Sequence, residues 1–267
     1  MTRASSETRR LPSPLVEGVE KAVVDLLGIN STNHRSALYK LGAVGGPALV
    51  EIVFQQIRVN YDVCGASARK DRSRENWRWP SLQPQICAHN CSPEVAVERA
   101  IAAACARMGR TDWANQVPVA SGLIEGTRDG RRAIDLVRRR GERHFEIIEL
   151  KIKTNTPLSA AVEIIGYGCL WIIARGDRPA RPSKLLDADR IDLRVLAPRA
   201  YYSPFALSDL DAALNTGVSA LGLRHGAALS FAFEQLDARI RPDAMPSDGE
   251  LLDCLDHSVP VNGVPRT

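Results

Sequence analysis

Apolar residues recur at helical spacing in "PLVEGVEKAVVDLLGI", where Leu15, Val19, Val23, Leu26 and Leu27 share a face, and the segment is predicted as an amphipathic helix. A second helix is predicted over "GPALVEIVFQQIRV", after the "GAVGG" break. Residues 64–92 then form a long polar connector carrying Arg69, Lys70, Arg72, Arg74 and Arg78. "SPEVAVERAIAAACARMG" has a clear helix start: Ser92 as N-cap, Pro93 at the first helical position and Glu94 in the first turn. Gly109 closes that helix.

The period then changes. "VPVASGLIEG", "RRAIDLVR" and "HFEIIELKI" are short runs separated by the turns "TRDG" and "RRGER", which predicts a three-stranded antiparallel meander. A long apolar helix is expected over "TPLSAAVEIIGYGCLWIIARG", a fourth core strand over "RIDLRVLAPRAYY", a helix near 208–222 and a strand at "LSFAFEQL". The order helix, three strands, helix, strand indicates a mixed α/β domain. The chain therefore divides into a disordered lead (1–14), a helical N-terminal segment with the basic connector (15–91), a core with a C-terminal extension (92–240) and a loop-like tail (241–267).

Length and composition change this picture little. The 267 residues are enough for one large domain, and 45% hydrophobic with 25% charged residues is ordinary for a globular chain. Aromatics are only 5%, so the core is expected to be aliphatic. A net charge of +4 is compatible with an anionic partner without singling one out. No stretch was expected to span a bilayer and the polar start lacks a signal-peptide pattern, so a cytoplasmic protein without a membrane is the expectation. The six cysteines show no paired framework and are read as thiols. "CAHNC", with Cys87, His89 and Cys91, lacks the second tight pair that a closed zinc site needs. The five histidines form no base constellation, and no glycine-rich loop ends in the lysine of a phosphate-binding motif.

Charge inside apolar strands is the informative feature. Asp135 interrupts "AIDLV", and Glu149 and Lys151 interrupt "FEIIELKI". Strand side chains alternate faces, so Ile148, Leu150 and Ile152 should share one face and Glu149 and Lys151 the other. Ile134 and Leu136 should likewise face together, with Asp135 opposite. If the hairpin turns both apolar rows into one core, the three charged groups converge. Two neighbouring carboxylates repel, and a divalent cation relieves the repulsion; oxygen ligands suit Mg2+ or Mn2+. Lys151 would then orient a water and offset charge on a phosphate. A solvated sheet face with an ordinary Glu–Lys pair is the bland alternative.

Asp135 followed by Glu149-Leu150-Lys151 resembles the D…(D/E)-x-K signature of the PD-(D/E)XK nuclease superfamily, and the flanking helices at 92–200 are similar to that family's core. The resemblance implies a restriction-endonuclease-like fold: a mixed central sheet with helices on both faces, here with added N-terminal helices. It implies Mg2+- or Mn2+-dependent hydrolysis of DNA, with Asp135 and Glu149 as metal ligands and Lys151 as the catalytic lysine. The preceding helix often supplies a further acid in this family, which points to Glu98, with Glu94 in reserve. RecB-like members carry a Gln-x-x-x-Tyr pattern after the lysine strand; here Glu163 and Tyr167 stand at that spacing, and Ile134 stands where the proline would be.

Arginines gather near the proposed site. Arg131, Arg132, Arg138, Arg139, Arg140 and also Arg143, with Lys153, are candidate phosphate contacts. Trp77 and Trp79 in the connector are read as packing anchors in preference to base-stacking platforms, and Trp171 as core. The expected partner is nucleic acid, DNA foremost, and a homodimer is left open. A non-catalytic nucleic-acid-binding module and a partner-binding structural protein remain as alternatives.

Overall fold

The computed structural model describes residues 15–34, 44–64, 76–85, 90–119, 132–177 and 182–261. The lead 1–14, Arg69, Lys70, Arg72, Arg74, Cys87, His89, Arg128 and Arg131 lie outside the described residues. Among the described residues, seven helices and six strands run in the order α1 (Val19–Leu27), α2 (Gly46–Cys64), α3 (Pro93–Arg107), β1 (Trp113–Pro118), β2 (Ala133–Gly141), β3 (His144–Leu150), α4 (Pro157–Gly176), β4 (Arg190–Pro198), α5 (Arg199–Tyr202), α6 (Ser208–Arg224), β5 (Ala228–Leu236), α7 (Asp248–Asp256) and β6 (Val259–Pro260). The strands form one mixed sheet in sequence order. β1, β2 and β3 make the expected antiparallel meander, β4 and β5 add in parallel, and β6 closes the edge antiparallel.

Each sheet face has its own apolar cluster. Phe145 and Ile147 of β3, Ile191 and Leu193 of β4, and Phe231 and Phe233 of β5 pack into the larger one, with Leu158, Ile164 and Trp171 of α4. Residues of α1, α2 and α6 extend that layer. Leu136, Ile148, Leu150, Leu196 and Leu236 face the smaller cluster, with Val97 and Ile101 of α3 and Leu251 and Leu255 of α7. Central strands buried on both faces explain why their sequences read as almost continuous apolar runs. The protein is thus an α/β fold with helices on both faces of a mixed sheet.

The caps follow the sequence. Ser92 accepts a hydrogen bond from the Val95 N–H with Pro93 in the first turn, and Thr156 caps α4 in the same way. Trp77 is buried and its carbonyl accepts from the Ser183 hydroxyl, while Trp79 packs edge-on against Phe145, so both anchor the connector. Trp171 is a core residue whose indole N–H donates to the Leu185 carbonyl.

Three expectations need correction. The first meander strand begins at Trp113, not at 117, because buried Asn115 carries the strand through a stretch with no simple alternation. The tail is not loop-like: Ser247 and Glu250 form a reciprocal capping box that starts α7, and its apolar side completes the smaller cluster. One helix, α4, is by length and composition apolar enough to cross a membrane, contrary to the sequence reading, but it is packed inside the fold.

Two helices approach closely where α2 meets α6. A Cβ on Gly217 would stand 2.8 Å from the Gly46 carbonyl oxygen and from Val50 Cγ2. Helix backbones cannot yield locally as a side-chain tip can. Gly217→Ala should therefore destabilise the protein by about 1–3 kcal/mol through overpacking. The adjacent exposed Thr216→Ala should change stability by no more than about 0.5 kcal/mol. Urea denaturation of the two variants checks this.

Candidate active site

β2 changes character at Asp135. Its pairing with β1 runs through Leu136↔Asn115 and resumes at Ile134↔Val117, skipping Asp135 and Gln116, and Gln116 has φ 47. Ile134 consequently packs into the larger cluster and Leu136 into the smaller, so the expectation that they share a face fails. The register is the same on both sides of the gap, so no residue is inserted and the distortion is confined to Gln116 and Asp135. The β2–β3 pairing ends at Leu136↔Ile148, and beyond it Asp135 Oδ2 accepts the Leu150 N–H at 2.9 Å. β3 itself is regular. Ile148, Leu150 and Ile152 reach the smaller cluster, while Glu149 and Lys151 share the other face.

Four charged groups meet there. Lys151 Nζ lies 2.5 Å from Glu149 Oε1 and 3.1 Å from Glu163 Oε2, and Arg132 Nη1 lies 3.4 Å from Glu163 Oε1. Burial pushes Asp135 up to about 6, against the Leu150 N–H and Lys151, with Glu163 adding to the rise. Burial lifts Glu149 well above the usual carboxylate range, and the charges of Asp135 and Glu163 lift it further. Burial works against the Lys151 ammonium too, but Glu149 and Glu163 outweigh it and keep it charged. Three carboxylates thus face two cations. The shortage falls on Glu149, whose Oε2 is buried and has no hydrogen-bond partner.

Asp192 shows that burial alone does not produce this state. It is as deeply buried as Glu149, yet Arg194, Ser230, His144 and Arg190 outweigh desolvation and hold it below the usual range. Asp192 has two guanidiniums, a hydroxyl and an imidazole around it, where Glu149 has one ammonium.

α3 braces the site from the other side. Glu98 is buried, with Asn115 donating to Oε1 at 2.9 Å and Gln116 to Oε2 at 3.0 Å. Burial, reinforced by the charge of Asp135, pushes it up to about 7. It stands next to Asp135 but is not gathered with Asp135 and Glu149 into a three-acid group. Its carboxylate holds the amides of Asn115 and Gln116, the backbone opposite Asp135. Glu94 does more than complement a helix dipole. Its Oε1 accepts from the N–H groups of Ile152 and Lys153 and from the Thr154 hydroxyl, so it clamps the chain directly after Lys151.

The arginines separate into two groups. Arg132 is at the site. Arg138 is buried, 2.5 Å from Asp256 and bonded to the Leu255 carbonyl, with its guanidinium over Trp113; it anchors α7 and is withdrawn from any phosphate. Arg140 pairs with Glu146 at 3.7 Å, and Arg143 with Asp189. At about 3.3 Å per residue, Arg138, Arg139 and Arg140 stand roughly 10–17 Å along β2 from Asp135. Lys153 is exposed just beyond the site.

Two residues escaped the sequence reading as members of the site. Glu163 was seen only as a replaced glutamine, although its place one turn before Tyr167 on a sheet-facing helix was a usable signal. Tyr201 of α5 is buried with an unpartnered hydroxyl, and it feels the charges of Lys151, Glu149 and Glu163. Nothing in its local sequence marks it.

Among the described residues, no three His, Cys, Asp or Glu side chains form a ready-made metal cage. Magnesium does not need one. It binds through one or two carboxylates, several waters and a substrate phosphate. Asp135 and Glu149 suit that demand, since their cluster lacks one positive charge and Glu149 Oε2 is unanswered.

The clamp has a pH signature. Burial opposes ionisation of Glu94, but its hydrogen bonds outweigh this and hold it at about 2, below its ordinary 4.5. Its contribution is therefore complete above the unfolded value and is lost as pH falls from there towards 2. Glu94→Ala should cost about 1.5–3 kcal/mol at neutral pH, and the gap from wild type should close as the medium is acidified. Denaturant titrations across that range measure it. No family model, curated protein or solved structure matches this chain.

Proposed function

We propose that this protein is a metal-dependent nuclease that hydrolyses phosphodiester bonds in DNA. The observation that carries the proposal is the convergence of Asp135, Glu149 and Lys151 from adjacent strands on one buried, positively undersupplied spot. The element order supports it: a helix, an antiparallel meander, a long helix and a parallel strand are similar to the PD-(D/E)XK core. In this reading Asp135 and Glu149 hold Mg2+ or Mn2+. The bound ion supplies Lewis acidity towards a phosphoryl oxygen and favours ionisation of water at neutral pH. Lys151 orients the attacking water and offsets negative charge on the phosphate as the new P–O bond forms and the old one breaks. The attacking water gives one proton to solvent and the departing oxygen takes one from it. Glu163, itself paired with Arg132, holds Lys151 together with Glu149, and the buried Tyr201 lies within the field of these charges.

A second reading, a nucleic-acid-binding module without cleavage, is favoured by one observation: Lys151 is engaged by two carboxylates at once. Cleavage of plasmid and single-stranded DNA distinguishes the two. Cleavage that needs Mg2+ or Mn2+ and falls by about 100-fold or more in both Asp135→Ala and Lys151→Ala is the expected result. Binding of DNA without metal-dependent cleavage by wild type would favour the second reading, and no interaction with nucleic acid at low salt would end both.

A further inference from the structure

A cavity of about 280 Å3 opens beside the charged cluster. Glu163 and Arg132 belong to both, so the cavity adjoins the proposed site of phosphate chemistry. One wall is apolar, from Val16 and Val19 at the start of α1 and Val162 of α4. Its polar side is built from Asn33, Asn155 and Ser159. Asn33 comes from the chain just after α1, and its side chain accepts the Thr156 N–H, which ties the N-terminal segment to the start of α4. Asn155 holds φ 64, a left-handed conformation that asparagine tolerates and most residues avoid.

An apolar wall for a ring face, with amides and a hydroxyl along the edge, is the chemistry that receives a planar heterocycle with mixed donors and acceptors. The volume is at the low end for a ligand pocket, suited to one nucleoside and too small for a base pair. We propose that this cavity binds a single unpaired nucleobase next to the scissile phosphate, so that the substrate is a single strand or a frayed strand end. The proposal rests on the nuclease reading and names its substrate class. Arg132 lines the cavity and pairs with Glu163, and Glu20, which also lines it, accepts from the Thr32 hydroxyl. It also gives the N-terminal helices a function: without α1 and the Asn33 turn, the cavity has no outer wall.

Wild-type protein, in EDTA, is titrated into a single-stranded deoxyoligonucleotide ending in 2-aminopurine and into a blunt duplex with the same end. Anisotropy reports binding, and acrylamide quenching reports whether the base is sheltered. Single-strand binding about tenfold tighter than duplex binding, with the base protected from quencher, is expected. Ser159→Phe, which fills the cavity, should lower single-strand affinity by about tenfold and leave duplex affinity unchanged, whereas Ser159→Ala should retain most of it. Binding with an unprotected base, or equal affinity for both forms, overturns the pocket while leaving the nuclease reading standing. No binding to either nucleic acid overturns both.

Discussion

Everything distinctive about this protein follows from placing Asp135, Glu149 and Glu163 around one lysine in a largely dry setting. A buried carboxylate is tolerable when a cation or a set of donors answers it. Asp192 is answered by Arg194 and its neighbours and stays ionised, as a structural charge should. The group around Lys151 is not fully answered, even with Arg132 beside Glu163. Leaving such a cluster undersupplied makes it costly as a structural device and suitable as a receptor for a divalent cation.

The surrounding fold is arranged to hold that imbalance in place. β3 pairs with β4 through Leu150, the Lys151 N–H donates to the Leu196 carbonyl, and Asp135 accepts the Leu150 N–H, so the backbone that carries Glu149 and Lys151 is tied on both sides. Asp135 sits opposite Gln116, where the β1–β2 ladder is interrupted, and Glu98 holds that point through the amides of Asn115 and Gln116. Glu94 fixes the chain where it leaves the site. α4 contributes Glu163 and Tyr167 from a helix whose other contacts are almost all apolar. Most of these groups sit on strands and helices, and the turn after Lys151 is held by Glu94, which is what keeps charged groups at fixed distances.

The legible parts of the sequence were those governed by local rules. The alternation of β3 placed Glu149 and Lys151 together, and Ser92-Pro93 marked the start of α3, because periodicity and capping are properties of a few adjacent residues. The capping box of α7 was legible by the same rule, in "SDGE", and was passed over. What local rules cannot carry is the partner far along the chain. Arg138 looks like a phosphate contact until Asp256, 118 residues later, is found beside it. The irregularity at Gln116 depends on the meander's tertiary pairing, and it moved Ile134 and Leu136 to opposite faces. Tyr201 enters the site only because β4 runs parallel to β3 and delivers the short helix behind Lys151.

The most direct test of this electrostatic interpretation needs no nucleic acid. Mn2+ is titrated calorimetrically into wild type, Asp135→Asn and Glu149→Gln at neutral pH, with circular dichroism confirming that each is folded. A single Mn2+ site in the wild type, weakened by about tenfold or more in each variant, is the result expected if these carboxylates await a cation. A folded wild-type protein that binds no Mn2+, or binds it equally well in all three proteins, would mean that the cluster is closed on Lys151 and that its buried charge serves the fold alone.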